Sequence, residues 1–288
     1  MKSVSKLVNL IKLERNTNNS LLFTGQSEDL GFSKVFGGQV ISQALSAACQ
    51  TVQDRPPHSL HAYFVRPGDI NLSIEYQVEI IRDGRSFSVR QINASQNGKT
   101  ILTMTASFQK TEIGLEHQVS MPNVPPPESL KPISELYQYH QAEIPEHIRE
   151  LLLAPKPIEF RIVEAQNPFR PQHTIAKRHM WIRSTSKLPD DPLIHQCMLA
   201  YTSDYGFLET ALMPHGLSIL QPDLNIASLD HAIWFHRPFR LDQWLLYVAD
   251  SPSAQNARGF VRGEIFTQQG ELVASIAQEG MFRRNEKT

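Results

Sequence analysis

The sequence predicts an α+β protein made of two tandem copies of one unit, each a long buried helix wrapped by a curved antiparallel β-sheet. Three observations predict it. The phrase "SLHAYFVRPGD" (Ser59 to Asp69) returns as "SLDHAIWFHRPF" (Ser228 to Phe239), which aligns Arg66-Pro67 with Arg237-Pro238 at an offset of 171 residues. Phe87 against Phe260 and Gly98 against Gly270 keep nearly the same offset, 173 and 172. Each phrase is preceded by an apolar stretch of helical length and followed by β-rich runs cut by turn dipeptides. A long-period repeat present in two copies indicates a fused pair of units rather than a solenoid.

The elements follow in order. "MKSVSKLVNLIKLERN" reads as a short amphipathic helix, because Lys12, Glu14 and Arg15 interrupt it before a signal-peptide core could form. Between Lys34 and Asp54, "VFGGQVISQALSAACQTVQ" has no charged residue and is apolar or small on every face, so this helix must be enclosed. Ser59 to Gln109 is rich in β-branched and aromatic residues and is broken at Pro67-Gly68, Asp83-Gly84 and Asn97-Gly98, the pattern of an antiparallel meander. "MPNVPPPESLKP" (Met121 to Pro132) is a semi-rigid linker. Ile133 to Leu153 reads as a connecting helix interrupted at Pro145. Asp191-Pro192 is a good N-cap and N1 pair for a second apolar helix, "PLIHQCMLAYTSDYGFLETAL", and Leu224 to Phe282 supplies the second set of strands. The expected division is 1–115 for the first unit, 116–170 for the linker with its connecting helix, and 171–288 for the second unit.

Composition narrows the partners. The 288 residues carry 28 basic and 29 acidic side chains with no long run of either sign, so nothing attracts nucleic acid or an anionic membrane. No apolar window approaches a membrane span. Cys49 and Cys197 each lie in an apolar run, which argues for buried thiols in a reducing compartment. Ser-Lys-Leu occurs at Ser5 and Ser186 but not at the C-terminus, which reads "NEKT", so cytoplasm is the expected location.

The sequence has no G-x-S-x-G elbow, phosphate-binding P-loop, G-x-G-x-x-G fingerprint or H-E-x-x-H pair. The pairs His58/His61 and His231/His236 have no third ligand at a recognised spacing, so these histidines read as packed or hydrogen-bonded at strand ends and no metal is expected.

Two polar residues stand on apolar faces. Asp204 has Ala200, Tyr201, Phe207 and Leu208 as helical neighbours; it is either a buried acid that needs partners or a solvated helix-end residue near Gly206. On its strand, Gln278 alternates with Leu272, Ala274 and Ile276, either as a core amide that Asp204 could satisfy or as a strand end reaching water. Ser228 is an ordinary turn position. The first half carries no such set: its helix lacks Asp and Glu, and Ala106 stands where Gln278 stands in the second. This asymmetry suggests one composite site per chain. Gly37-Gly38 would expose backbone N–H groups to a carbonyl oxygen, or would simply permit close packing.

The segments "FTGQSEDLG", "VFGGQVISQAL", "HSLHAYFVRPGD", "RDGRSFSVRQI", "PDDPLIHQCMLAYTSDYGFL", "SLDHAIWFHRPF" and "ARGFVRGEIFTQQGELVASIAQEG" together resemble the bacterial acyl-CoA thioesterase II family, from about Leu7 to Phe282. The resemblance implies a double hotdog fold and hydrolysis of fatty acyl-CoA, with broad tolerance of medium and long chains and no cofactor. It further implies a catalytic Asp204, Ser228 and Gln278, water attack without a covalent intermediate, and a homo-oligomer of two or four chains. The family pattern often has Thr where Ser228 stands; Ser keeps the hydroxyl but loses the methyl that restricts its rotamer. Gly38 is the expected oxyanion donor. Two rivals share the scaffold: a hotdog enoyl-CoA hydratase, which would need a His beside the Asp, and a non-catalytic acyl-CoA binding protein.

Overall fold

The computed structural model describes residues 3–31 and 34–284. Its first helix, α1 (Val4–Ile11), is capped by Ser3 Oγ, which accepts from the Lys6 N–H, and buries Val4, Leu7, Val8 and Ile11 along one stripe. After β1 (Glu14–Arg15) and β2 (Leu22–Gly25) comes α2 (Gly37–Cys49), in which all residues but Gly37 and Ser46 are buried. The uncharged stretch is thus enclosed on every face. The meander follows as β3 (Pro57–Phe64), β4 (Ile74–Asp83), β5 (Phe87–Gln96) and β6 (Lys99–Gln109). Asn97 and Gly98 join the last two at φ of 48° and 72°, the left-handed pair that a two-residue hairpin demands.

Pro145 does break the connecting segment, standing as N-cap of α4 (Glu146–Leu153) after α3 (Ile133–Tyr139). The linker before them straps the outside of the second half. Trp181 Nε1–H donates to Pro125 O at 2.9 Å, and Met121, Val124 and Leu130 cover a small core of Trp181, Trp244, Leu246 and Phe266.

The second half holds β7 (Ile158–Ile162), β8 (Lys177–Ser184), α5 (Pro192–Ser203), β9 (Leu224–Ser228), β10 (Asp230–Phe235), β11 (Leu245–Gln255), β12 (Arg258–Thr267) and β13 (Leu272–Arg284). Two expectations need adjusting. Strand β7 lies inside the segment read as linker, yet it pairs with β8 from Ile158 opposite Ser184 to Ile162 opposite Met180. The second helix stops at Ser203 instead of running to Leu212, because Gly206 takes φ 68° and the chain continues as a 3-10 turn over Phe207–Ala211.

All pairings are antiparallel, and one sheet runs in the order β1-β2-β4-β5-β6-β3-β10-β13-β12-β11-β8-β7, with β9 added on β13. The halves meet at β3 and β10, the two copies of the repeated phrase, with His61 opposite Ala232. Helices α2 and α5 pack against each other: Ser42 Oγ–H donates to Cys197 O at 2.7 Å, and a Cβ on Gly38 would lie 2.4 Å from Tyr201 O. That approach requires glycine. Cys49 and Cys197 are buried free thiols. Among the described residues no helix is long and apolar enough to cross a membrane.

Candidate active site

Four separated segments converge where the N-terminus of α2 meets the C-terminus of α5. Asp204 is the C-cap of α5, Ser228 ends β9, Gln278 lies on β13, and Gly38 is the second residue of α2. The sheet sets the first contact, because β13 pairs with β9 in a register that puts Gly280 opposite Ser228 and so brings Gln278 beside it.

Hydrogen bonds lock the group. Gln278 Nε2 donates to Asp204 Oδ1 at 2.7 Å and to Ser228 Oγ at 2.8 Å. Ser228 Oγ–H donates to the same Oδ1 at 3.3 Å. On the other side of the carboxylate, the Gly38 N–H donates to Oδ2 at 2.8 Å. Both readings of Asp204 therefore hold in part: it sits at a helix end, and it is satisfied by partners rather than by bulk water.

The Gly38 bond corrects the oxyanion expectation. That amide is engaged by Asp204, so Gly38 holds the acid instead of presenting a free N–H. The reason is a missing cap. Phe36, the N-cap of α2, makes no side-chain cap bond, whereas α5 caps itself through Asp191 Oδ1 and the Leu193 N–H. Asp204 supplies the missing acceptor across 166 residues, at the N2 amide that an ordinary N-cap would satisfy.

Electrostatics point the same way as geometry. Burial raises the Asp204 carboxyl to about 6, against the opposing pull of the Gln278, Gly38 and Ser228 hydrogen bonds that favour the anion. A carboxyl poised near neutrality results. Oδ1 accepts two bonds and Oδ2 one, so Oδ2 keeps room for another donor. Gly37 protects that room: a Cβ there would lie 2.7 Å from Oδ2 and 2.9 Å from the Phe64 ring. Sequence reasoning singled out Gly37-Gly38 as a pair but gave Gly37 no role of its own.

A cleft of about 360 Å³ opens beside Tyr201, Thr202 and Tyr205, walled by Leu30, Leu151 and Phe160. The histidines take the structural positions expected of them. His58 Nε2 meets Ser107 Oγ at 2.8 Å, His236 Nε2 meets Ser275 Oγ at 2.8 Å, and His61 packs edge-on against Trp234. His231 is different, fully buried and 2.8 Å from Gln278 Oε1 through Nδ1. Among the described residues no group of three or more His, Cys, Asp or Glu could hold a metal ion.

Comparison with known proteins places the chain in a family. Residues 26–109 match the model of the acyl-CoA thioesterase N-terminal domain, and residues 150–281 match that of acyl-CoA thioesterase. The chain is 44% identical to "Acyl-CoA thioesterase 2" of Haemophilus influenzae, over 98% of this chain and 99% of the relative. It is 40% identical to human "Acyl-coenzyme A thioesterase 8", over 97% of this chain and 88% of that protein. A protein with a hot dog fold from Alicyclobacillus acidocaldarius superposes with a TM-score of 0.77 at 18% identity, covering 97% of this chain and 98% of the other, and with the two repeated halves this makes the fold a double hotdog. The crystal structure of an acyl-CoA thioesterase II from Mycobacterium marinum superposes with a TM-score of 0.79 at 37% identity, covering 97% of this chain and 99% of the other. On this likeness, spanning nearly the whole of both chains, the protein belongs to the acyl-CoA thioesterase family.

Proposed function

We propose that the protein hydrolyses fatty acyl-CoA of medium to long chain to free fatty acid and CoA, with Asp204 as general base and Ser228 and Gln278 as its partners. The observation that carries this reading is one carboxylate with a pKa near 6, held by three donors, with one acceptor position left open on Oδ2. A water in that position gives its proton to Asp204 as its oxygen attacks the thioester carbonyl carbon. The tetrahedral intermediate expels the CoA thiolate, which takes the proton back, so water is consumed and no enzyme bond forms.

Gly38 steadies the base, and the helix N-terminus favours its ionised form. Tyr205, next to Asp204 in the chain, and Tyr201, one helical turn before it, line the cleft, which supports it as the approach for the substrate. The hydratase rival would place a histidine on the acid; the buried histidine in this site faces Gln278. A cytoplasmic location, a two-unit organisation and a homo-oligomer of two or four chains belong to the same reading.

The test is thiol release from decanoyl-CoA by the purified protein, with crotonyl-CoA hydration measured beside it. Release with turnover supports hydrolysis. Hydration of crotonyl-CoA, or tight retention of decanoyl-CoA with no thiol released, overturns it.

A further inference from the structure

His231 lies directly opposite Gln278 across β10 and β13, as the register of Ala232 against Ala277 requires. It is 0% exposed, and its two ring nitrogens are both occupied: Nδ1 is 2.8 Å from Gln278 Oε1, and Nε2 is 2.9 Å from Ser203 Oγ.

The protonation states of this chain follow from one end. An ionised carboxylate only accepts, so Gln278 must turn its NH2 toward Asp204. Its Oε1 then faces the ring, and Nδ1 must carry the proton. Nε2 is left bare and accepts from the Ser203 hydroxyl at 2.9 Å, whose single proton then turns to the ring from the Ala200 carbonyl 3.0 Å away. Flipping the Gln278 amide would set Oε1 against the Asp204 carboxylate at 2.7 Å, two acceptors face to face. Burial lowers the His231 pKa to about 4, which keeps the ring neutral, with one nitrogen donating and the other accepting.

The duplicated half supplies an internal control. The pair at the same place in the first half is Leu60 opposite Ala106, which is apolar and buried. This scaffold position therefore packs without polar groups. The second half buries an imidazole and an amide there, a choice that costs desolvation and needs a return other than packing.

The geometry points to His231 as a positioning residue for hydrolysis: its Nδ1–H holds Gln278 Oε1 so that both amide hydrogens of Gln278 face Asp204 and Ser228. This rests on the catalytic reading of Asp204, Ser228 and Gln278. His231 does not touch the attacking water; it acts through Gln278.

The experiment is a double-mutant cycle on decanoyl-CoA with His231→Leu, Gln278→Ala and both together, the double variant recreating the first-half pair. His231→Leu is expected to lower kcat by about 10- to 100-fold with KM little changed, the scale of a misaligned reacting group. His231→Asn, whose amide N–H stands near the Nδ1 position, restores most of that loss. In the Gln278→Ala background His231→Leu has no further effect, because the residue it orients is gone.

Equal losses in both backgrounds, or an unchanged kcat in His231→Leu while Gln278→Ala is impaired, overturn the inference and leave the proposed activity standing. A fully active Gln278→Ala overturns the inference together with the catalytic role of Gln278, and leaves the hydrolysis itself standing. Should His231→Leu fail to fold, the 15N shifts of the wild-type ring decide: a protonated Nδ1 with a bare Nε2 supports the inference, and the opposite tautomer overturns it.

Discussion

The two halves of the sheet share strand order and a buried helix, yet at matched places one is apolar and the other polar. Pro57 stands where the second half has Ser228, and Ala106 where it has Gln278. The C-cap of α2 is the exposed Gln50, and the C-cap of α5 is Asp204. Even the N-termini differ, because α5 caps itself through Asp191 and α2 is capped by the acid of the other half. Packing alone is satisfied by the first version. The second version gives up well-packed apolar surface for a network in which every donor has an acceptor, which is the condition for burying polar groups without a large loss of stability. The halves are thus unequal partners in one site, the second supplying side chains and the first a helix terminus.

Several variants break or sharpen this contrast. The largest effect is expected for Asp204→Asn, which removes the base and should lower kcat on decanoyl-CoA by about 10²- to 10⁴-fold in a protein that remains folded by circular dichroism. Gly37→Ala follows. Its methyl would occupy the space beside Oδ2, and a loss of about 100-fold in kcat is expected, since displacement of a reacting group by about 1 Å has that scale. Full activity in this variant would put the attacking water elsewhere.

Grafting the polar pair into the first half tests whether the asymmetry is sufficient as well as necessary. Leu60→His with Ala106→Gln, placed in the Asp204→Asn background, should recover no thiol release, because the first half has no acid at the matching helix end. Any recovery would mean that a second latent site exists. The smallest effect is expected for His58→Ala. His58 bonds Ser107 away from Asp204, so steady-state kcat should stay within about twofold of wild type, as for a side chain that never meets the transition state.

Much of this was legible in the sequence because the signals are local. The lack of charge from Val35 to Gln53 predicted an enclosed helix, the Asn97-Gly98 turn fixed a hairpin, and the repeated phrase marked the same strand in each half, though not that these two strands pair with each other. Strand β7 escaped because "IEFRI" is only five residues long and follows a proline-rich segment, so its alternation is brief. The end of α5 was overrun because apolar residues continue past Gly206 into a 3-10 turn with similar spacing. In the site, Asp204 and Gln278 stood out as polar residues on apolar faces. The Gly38 to Asp204 bond did not, since it joins residues 166 apart and depends on a cap that α2 lacks. His231 was equally hidden. A histidine at a strand start is an ordinary residue until the strand opposite it is known.

As a general base Asp204 must be ionised to act, and the pH dependence of kcat/KM tests this most directly. A general base works only when deprotonated, so with a carboxyl pKa near 6 activity should be flat above about pH 7 and fall tenfold per unit well below 6. The residual rate of Asp204→Asn should lack that limb. A wild-type profile that stays flat between about pH 5 and 8, or a limb that persists unchanged in Asp204→Asn, would contradict the assignment.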